Sequence, residues 1–205
     1  EIADPYELGL KGDFLDGQFR MNAAVFYTDY AGQQVTTQVP KVTPPPGVVS
    51  FVDNVGSSRI WGAEIEAQAV LSRNFSASFS FGYINAKFNE FIVFDLATGK
   101  NVDVADLRAF QNTPKFTGSA SLNWQADFMG GRMAILPSIS FRSDTHLFEI
   151  PIPSIDQDGY SLVDLSVTWT SPDARWRLGV HGRNLFDVRY RTGGHNFPSY
   201  QFAQS

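Results

Sequence analysis

Apolar and polar residues alternate along most of this 205-residue chain, in segments of about ten residues or more separated by turn signals. Period-two alternation places one apolar and one polar side on each segment, so it predicts β-strands rather than helices. The first strand, over residues 6–15, puts Leu8, Leu10 and Phe14 opposite Glu7, Lys11 and Asp13, and Asp16-Gly17 follows as a hairpin turn. The second, over 18–29, sets Phe19, Met21, Ala23, Val25 and Tyr27 against Arg20, Asn22, Ala24, Phe26 and Thr28. Residues 31–58 read as a long loop containing Pro44-Pro45-Pro46-Gly47.

The third strand, over 59–70, sets Trp61, Ala63, Ile65, Ala67 and Ala69 against Gly62, Glu64, Glu66 and Gln68. After a short turn at 72–74, Phe75, Ala77, Phe79, Phe81 and Tyr83 oppose Ser76, Ser78, Ser80 and Gly82. A second long loop occupies 88–113. Within it, FIVFDLATGKNVDV predicts a hairpin turning at 98–100, and VADLRAF one or two helical turns. The fifth strand covers 115–125, and a Gly130-Gly131 turn leads into the sixth, where Met133, Ile135, Ile139 and Phe141 oppose Arg132, Ser138, Ser140 and Arg142. A third loop covers 143–158. The seventh strand, 160–169, and the eighth, 175–185, flank a Pro172-Asp173 turn, and a last loop starts near Asp187. Pro137 stands in the apolar register of the sixth strand and removes a ladder donor, which predicts a bulge or a register change there.

Alternation alone also fits a soluble β-sandwich. Three further patterns point to the wall of a transmembrane barrel. Soluble strands usually run ~5–6 residues, whereas a tilted membrane strand needs ~9–11. Short and long connections alternate strictly, as periplasmic turns and extracellular loops do. The aromatics sort by height, with Trp124, Trp169, Trp176 and Phe75 near the short-turn rim and Trp61, Tyr27, Tyr83 and Phe141 near the other. Interfacial girdles of this kind suit amphipathic rings. The charged residues Glu64, Glu66, Lys115, Arg132, Asp164, Arg177 and Arg183 all fall in the polar register, predicted to face the lumen. Arg59, Asp29 and Lys87 break into the apolar register at strand ends. The fold class expected is therefore all-β: about eight antiparallel, up-and-down strands of a transmembrane barrel, with long extracellular loops and short periplasmic turns.

Composition adds exclusions. A net charge of −5 leaves no basic footprint for nucleic acid, and the absence of cysteine removes disulfides and thiolate metal sites. No apolar run approaches the ~20 residues of a membrane helix. EIADPYELGLKGDF lacks a signal-peptide profile, so the chain reads as an excised or processed piece.

YELGLKGDF, FRMNAAVFYTDY, VDNVGSSRIWGAEIEAQ, NTPKFTGSASLNW and RWRLGVHGRNLFDVRY resemble, in order, the C-terminal barrel region of TonB-dependent outer-membrane receptors. The resemblance spans essentially the whole chain. In that family the barrel has twenty-two strands and a plug fills its lumen. The resemblance thus implies that residues 1–205 are one C-terminal barrel portion, similar to strands fourteen to twenty-one, without plug or last strand. It further implies a Gram-negative outer-membrane location, the TonB complex as partner through the plug, and import of a scarce solute, most often an iron complex.

No catalytic constellation or cofactor motif emerges, and His146, His181 and His195 lack ligand spacing. His181 reads as a hydrogen-bonded lumen residue. Glu64 and Glu66 read as members of a solvated ion-pair ladder rather than as an acid/base pair. Solute binding falls to the loops and upper lumen, with Phe51, Phe91, Phe94, Phe110, His146, Phe148, His195 and Tyr200 as candidates. Loops rich in Phe and poor in Lys and Arg favour a neutral or apolar ligand, although the same rings can instead pack loop on loop. A passive pore or adhesin, a soluble β-sheet module, and an importer of a vitamin or carbohydrate are the alternatives.

Overall fold

The structure is a computed structural model that describes residues 1–41, 47–95, 98–197 and 200–204, with side chains omitted for 35–53, 55 and 195–204. Its main body is one antiparallel sheet. The strands are β1 (Ile2–Phe14), β2 (Phe19–Lys41), β3 (Gly47–Ser72), β4 (Phe75–Asp95), β5 (Lys100–Asp103), β6 (Phe116–Phe128), β7 (Gly131–Arg142), β8 (Tyr160–Thr170) and β9 (Arg177–Gly182). Eight of them run in the order β1-β2-β3-β4-β6-β7-β8-β9, and β5 folds back on the end of β4. A separate hairpin joins β10 (Gly193–Phe197) to β11 (Tyr200–Gln204).

The up-and-down order follows from the connections. Phe14 pairs Phe19, Ser72 pairs Phe75, and Phe128 pairs Gly131, so these reversals are too short for anything except hairpins. Leu15, Asp16 and Gly17 all have positive φ, and the reversal spans four residues rather than the two that Asp16-Gly17 predicts. The third reversal turns on Met129 (φ 50°) and Gly130 (φ 74°), one residue before the expected Gly130-Gly131. Gly131 is instead the first residue of β7, where the Trp169 ring and the Thr170 carbonyl occupy the space of a Cβ.

Registers carry the alternation across the sheet as rows. Leu8, Val25, Ala63, Tyr83 and Phe116 form one apolar row on five strands. Phe75, Trp124, Ile135, Val167 and Val180 form another. Asp13, Arg20, Gln68, Ser78, Ser121, Ser138 and Asp164 form a row on the polar face.

Among the described residues neither face is covered by a second layer, because strands contact substantially only the strands to which they are hydrogen-bonded. Leu8 is 74% exposed, Val25 52%, Phe79 45% and Trp61 44%. A soluble sandwich would hide these side chains between two sheets. The buried apolar residues among those described are Phe91, Leu147 and Ile155, all at the loop end. Burial there, and not beneath the sheet, removes the sandwich alternative.

Three expectations need correction. Residues 31–58 are largely strand: β2 and β3 remain paired to Lys41 and Gly47, with register irregularities near Gln33 and Gly56. At Gly56 (φ 146°) a Cβ would lie 2.1 Å from the Glu90 carbonyl oxygen, so only glycine passes β4 there. Alternating β-branched residues such as Val35, Thr37, Val39 and Val49 carried a signal for this extension that the prolines outweighed. Second, Pro137 causes no register change. The β6–β7 ladder lapses between the pairs Ser121–Ser138 and Trp124–Ile135 and resumes in the same register, while Pro137 still pairs Leu165 on β8. Third, regular pairing of β9 ends at Gly182, and the chain stays tied to β8 out of ladder register: the Asn184 amide donates to Asp164 Oδ1 at 2.7 Å and the Leu185 amide to the Val163 carbonyl at 2.9 Å. The hairpin and helical turn expected inside 88–113 are present as β4–β5 and a single 3₁₀ turn at Ala105–Leu107.

Candidate functional site

Above the serines of its polar register, β4 continues into Ile84, Ala86 and Phe88. The Ile84 amide donates to the Lys115 carbonyl at 3.0 Å, which seats Lys115 beside the same face. Two loops fold over this end. Residues 104–115 bring Arg108 and Phe110; the Phe110 ring stacks on Phe88 at 4.4 Å and 14°, and Phe88 meets Phe91 edge-on at 5.0 Å. The Arg108 guanidinium lies 5.0 Å above the Phe91 ring. Phe91 is only 2% exposed, so it backs the site and offers no surface to a solute.

The second loop, 143–159, is tied to the first. The Ala109 amide donates to the Glu149 carbonyl (2.8 Å), Gln111 Nε2 to Glu149 Oε2 (2.6 Å) and the Asn112 amide to the His146 carbonyl (2.9 Å). Asp156 organises this loop from within. Its carboxylate accepts from the Leu147 and Ile152 amides and meets His146 Nδ1 at 2.7 Å. The arrangement directs Nε2 of His146 away from Asp156. Arg191 ties in the segment after β9 through the Asp156 carbonyl and Gln157 Oε1. Asp103 braces the base of β5: the Phe91 and Ala105 amides both donate to it, holding its carboxyl below the ordinary value of 3.8.

Between the two loops and β4 lies a cavity of about 290 Å³ whose lining includes Ile84, Phe88, Arg108, Phe110, Lys115 and His146. Asp106 and Lys87 also line it. Nε of Arg108 is buried without a hydrogen-bond acceptor. An unsatisfied buried donor of a charged group costs about 1–3 kcal/mol or more. Aromatic walls, three Lys and Arg residues against one Asp, and an orphan N–H suit a flat or ring-bearing anion. Among the described residues no group of three His, Asp or Glu side chains is placed to hold a metal ion.

Of the loop candidates, Phe91, Phe110 and His146 converge here, and Lys115 joins them from the strand set. Phe94 is 57% exposed on the β4–β5 hairpin, and Phe148 is half-buried outside the cavity lining. The side chains of Phe51, His195 and Tyr200 lie outside the described residues. Sequence reasoning passed over Phe88, Arg108 and Asp156. Phe88 was detectable as a bulky ring interrupting the small polar register of β4.

On the wall, Glu64 pairs with Ala24 and Gly82, and Glu66 with Asn22 and Ser80, so the expected ion-pair ladder is absent there among the described residues. Arg132 donates from Nε to Gln125 Oε1 at 3.0 Å, and Arg177 pairs with Thr170. Asp164 holds the Asn184 amide, Arg183 lies beyond β9, and Nδ1 of His181 meets Ser166 Oγ at 2.9 Å. On the apolar face Tyr27 contacts Tyr6 (6.5 Å), Trp61 meets Tyr83 edge-on (5.2 Å), and Tyr83 contacts Phe116 (5.2 Å). Near the short turns, Trp124 pairs with Phe75, Trp169 donates to the Phe128 carbonyl at 2.8 Å, and Trp176 is 67% exposed within the turn.

The sequence profile described as TonB dependent receptor-like, beta-barrel matches residues 1–185. The chain belongs to this family. It lies in the outer membrane of a Gram-negative cell. It is 27% identical over 200 residues to the pesticin receptor of Yersinia enterocolitica, a match covering 97% of this chain and 26% of that protein. Identity to the pesticin receptor of Yersinia pestis is 26% over the same share. The chain thus spans about a quarter of the length of these curated relatives. Among solved structures, the ferric yersiniabactin uptake receptor FyuA from Yersinia pestis superposes with a TM-score of 0.74 at 23% identity, covering 98% of this chain and 27% of that one. The siderophore receptor PiuA from Acinetobacter baumannii gives 0.68 at 19%, covering 98% and 26%. At these identities the superpositions establish the fold.

Proposed function

We infer that this chain is the C-terminal portion of a receptor barrel that binds and imports an anionic iron chelate, with energy delivered by TonB through a plug carried elsewhere in the protein. The family supports the receptor. The polar face, with Glu64, Glu66 and Arg132, is then the lumen wall, and the two aromatic groups mark the bilayer interfaces. The observation that carries the ligand class is the Arg108 guanidinium, its Nε buried and unpartnered at a cavity also lined by Lys115, Phe88 and Phe110. Loop composition alone favours a neutral ligand; the folded arrangement gathers scarce cations at one point and favours an anion.

The test uses the full-length protein and ferric chelates of matched size and differing charge, with binding read by tryptophan fluorescence. Arg108→Gln is expected to weaken an anionic chelate by about tenfold or more, the loss typical of one charge-assisted hydrogen bond, while leaving a neutral chelate unaffected. Equal loss for both, or no loss, sinks the assignment.

A further inference from the structure

On the apolar face two adjoining hollows, of about 570 and 630 Å³, share Leu8, Val25 and Ala63. The small Ala63 forms a floor, and Tyr27 and Trp61 wall the end nearer the loops. One step further along the same register, ~7 Å on, the apolar pattern stops. Asp4, Asp29, Arg59 and Lys87 lie side by side on four successive strands.

This row divides by charge, acids on β1 and β2 and bases on β3 and β4. Asp29 accepts from Tyr27 Oη at 2.9 Å and from Arg59 Nε at 3.4 Å, and the Arg59 guanidinium sits 5.7 Å from the centre of the Tyr27 ring. Arg59 is thus shared with Asp29 and Tyr27, while the exposed Lys87 ammonium, paired directly opposite it on β4, has no ion-pair partner among the described residues. A hydrocarbon-lined groove below, an aromatic shelf, and two cations above reproduce the order of polarity along a single lipid molecule.

We propose that this strip of β1–β4 is a binding site for one phosphate-bearing lipid of the loop-side leaflet, with an acyl chain over Ala63 and the phosphate on Arg59 and Lys87. The site depends on the apolar face meeting lipid; because Lys87 is also among the residues lining the loop-end cavity, the readout is lipid binding with no solute present.

Native mass spectrometry of the full-length protein in maltoside detergent tests it, with phosphatidic acid and diacylglycerol of identical chains as probes. Phosphatidic acid is expected to form a one-to-one adduct at about tenfold lower concentration than diacylglycerol, since only it can make charge-assisted contacts. The double variant Arg59→Gln/Lys87→Gln removes that preference, and Ala63→Phe, which fills the groove, lowers adducts of both lipids. Lys87→Gln alone alters an exposed side chain and leaves folding intact, and it reduces the preference about threefold, part of one charged contact. Equal adducts of both lipids with the unaltered protein, or an undiminished preference in the Lys87 or double variant, overturns the site.

Discussion

The wall and the loop end of this molecule are held together in opposite ways. Along β1–β9 the backbone pairs strand to strand apart from the lapse beside Pro137, yet the described side chains have no core beneath the sheet: Leu8, Val25 and Phe79 are open on one face. At the loop end the ladders give out. Segments 104–115, 143–159 and 189–191 instead bury Phe91, Leu147 and Ile155 and use the Asp156 carboxylate as a shared acceptor. The wall borrows its apolar surroundings from the membrane and the rest of the barrel, whereas the loop end supplies its own small core. A wall of this kind tolerates only substitutions that respect sidedness. A loop end of this kind fails through individual hydrogen bonds.

The largest global effect that follows is on the wall. Phe79 lies between Ala67 and Ala120 on the apolar face, and Ser78 between Gln68 and Ser121 on the other. Phe79→Arg is expected to destabilise the barrel by about 2–4 kcal/mol, the cost of a cation at bilayer mid-depth, whereas Ser78→Arg changes stability by less than about 1 kcal/mol. Urea unfolding of the full-length protein in lipid measures both; equal effects would mean that the two faces are not chemically distinct.

Next comes Asp156→Ala, which strips two backbone amides and the His146 ring of their acceptor. A local loss of about 2–6 kcal/mol is expected, from ~1–3 for each of the two stranded amides, the part-exposed His146 ring being able to turn to water. Hydrogen exchange should accelerate at Leu147 and Ile152 while the amides of β6–β8 stay protected. Faster exchange throughout the wall would show that the two regions are one cooperative unit.

The smallest effect is pH-dependent. Because two backbone amides hold the Asp103 carboxyl below 3.8, its contribution is complete above that value and declines as pH falls through the lowered one. Amide shifts of Phe91 and Ala105, followed by NMR between neutral pH and acid, should move below about pH 4 and stay flat in Asp103→Asn. Movement near neutrality would assign the titration to another group.

The wall was readable one strand at a time, since Phe75 to Tyr83 states its own sidedness without reference to any partner. Turn centres were less readable: Gly130-Gly131 looks like a reversal, but Gly131 is needed where Trp169 crosses the chain. Pro137 looked like a fault, yet strong pairing on either side keeps the register and the sheet gives up only local bonds. The candidate site was half legible. Phe110, His146 and Lys115 stand out by residue type, whereas Arg108 gains meaning only beside Phe91 and a cavity.

What the chain determined by itself is everything with a two-residue period: strand identity, the two faces, the up-and-down order through tight reversals, and the family motifs. Local sterics and burial specify these within each segment. Folding alone decided which loops meet, through contacts such as Gln111 with Glu149, 38 residues apart. No local pattern encodes such a contact, because its energy exists only after the wall has brought both ends to the same height.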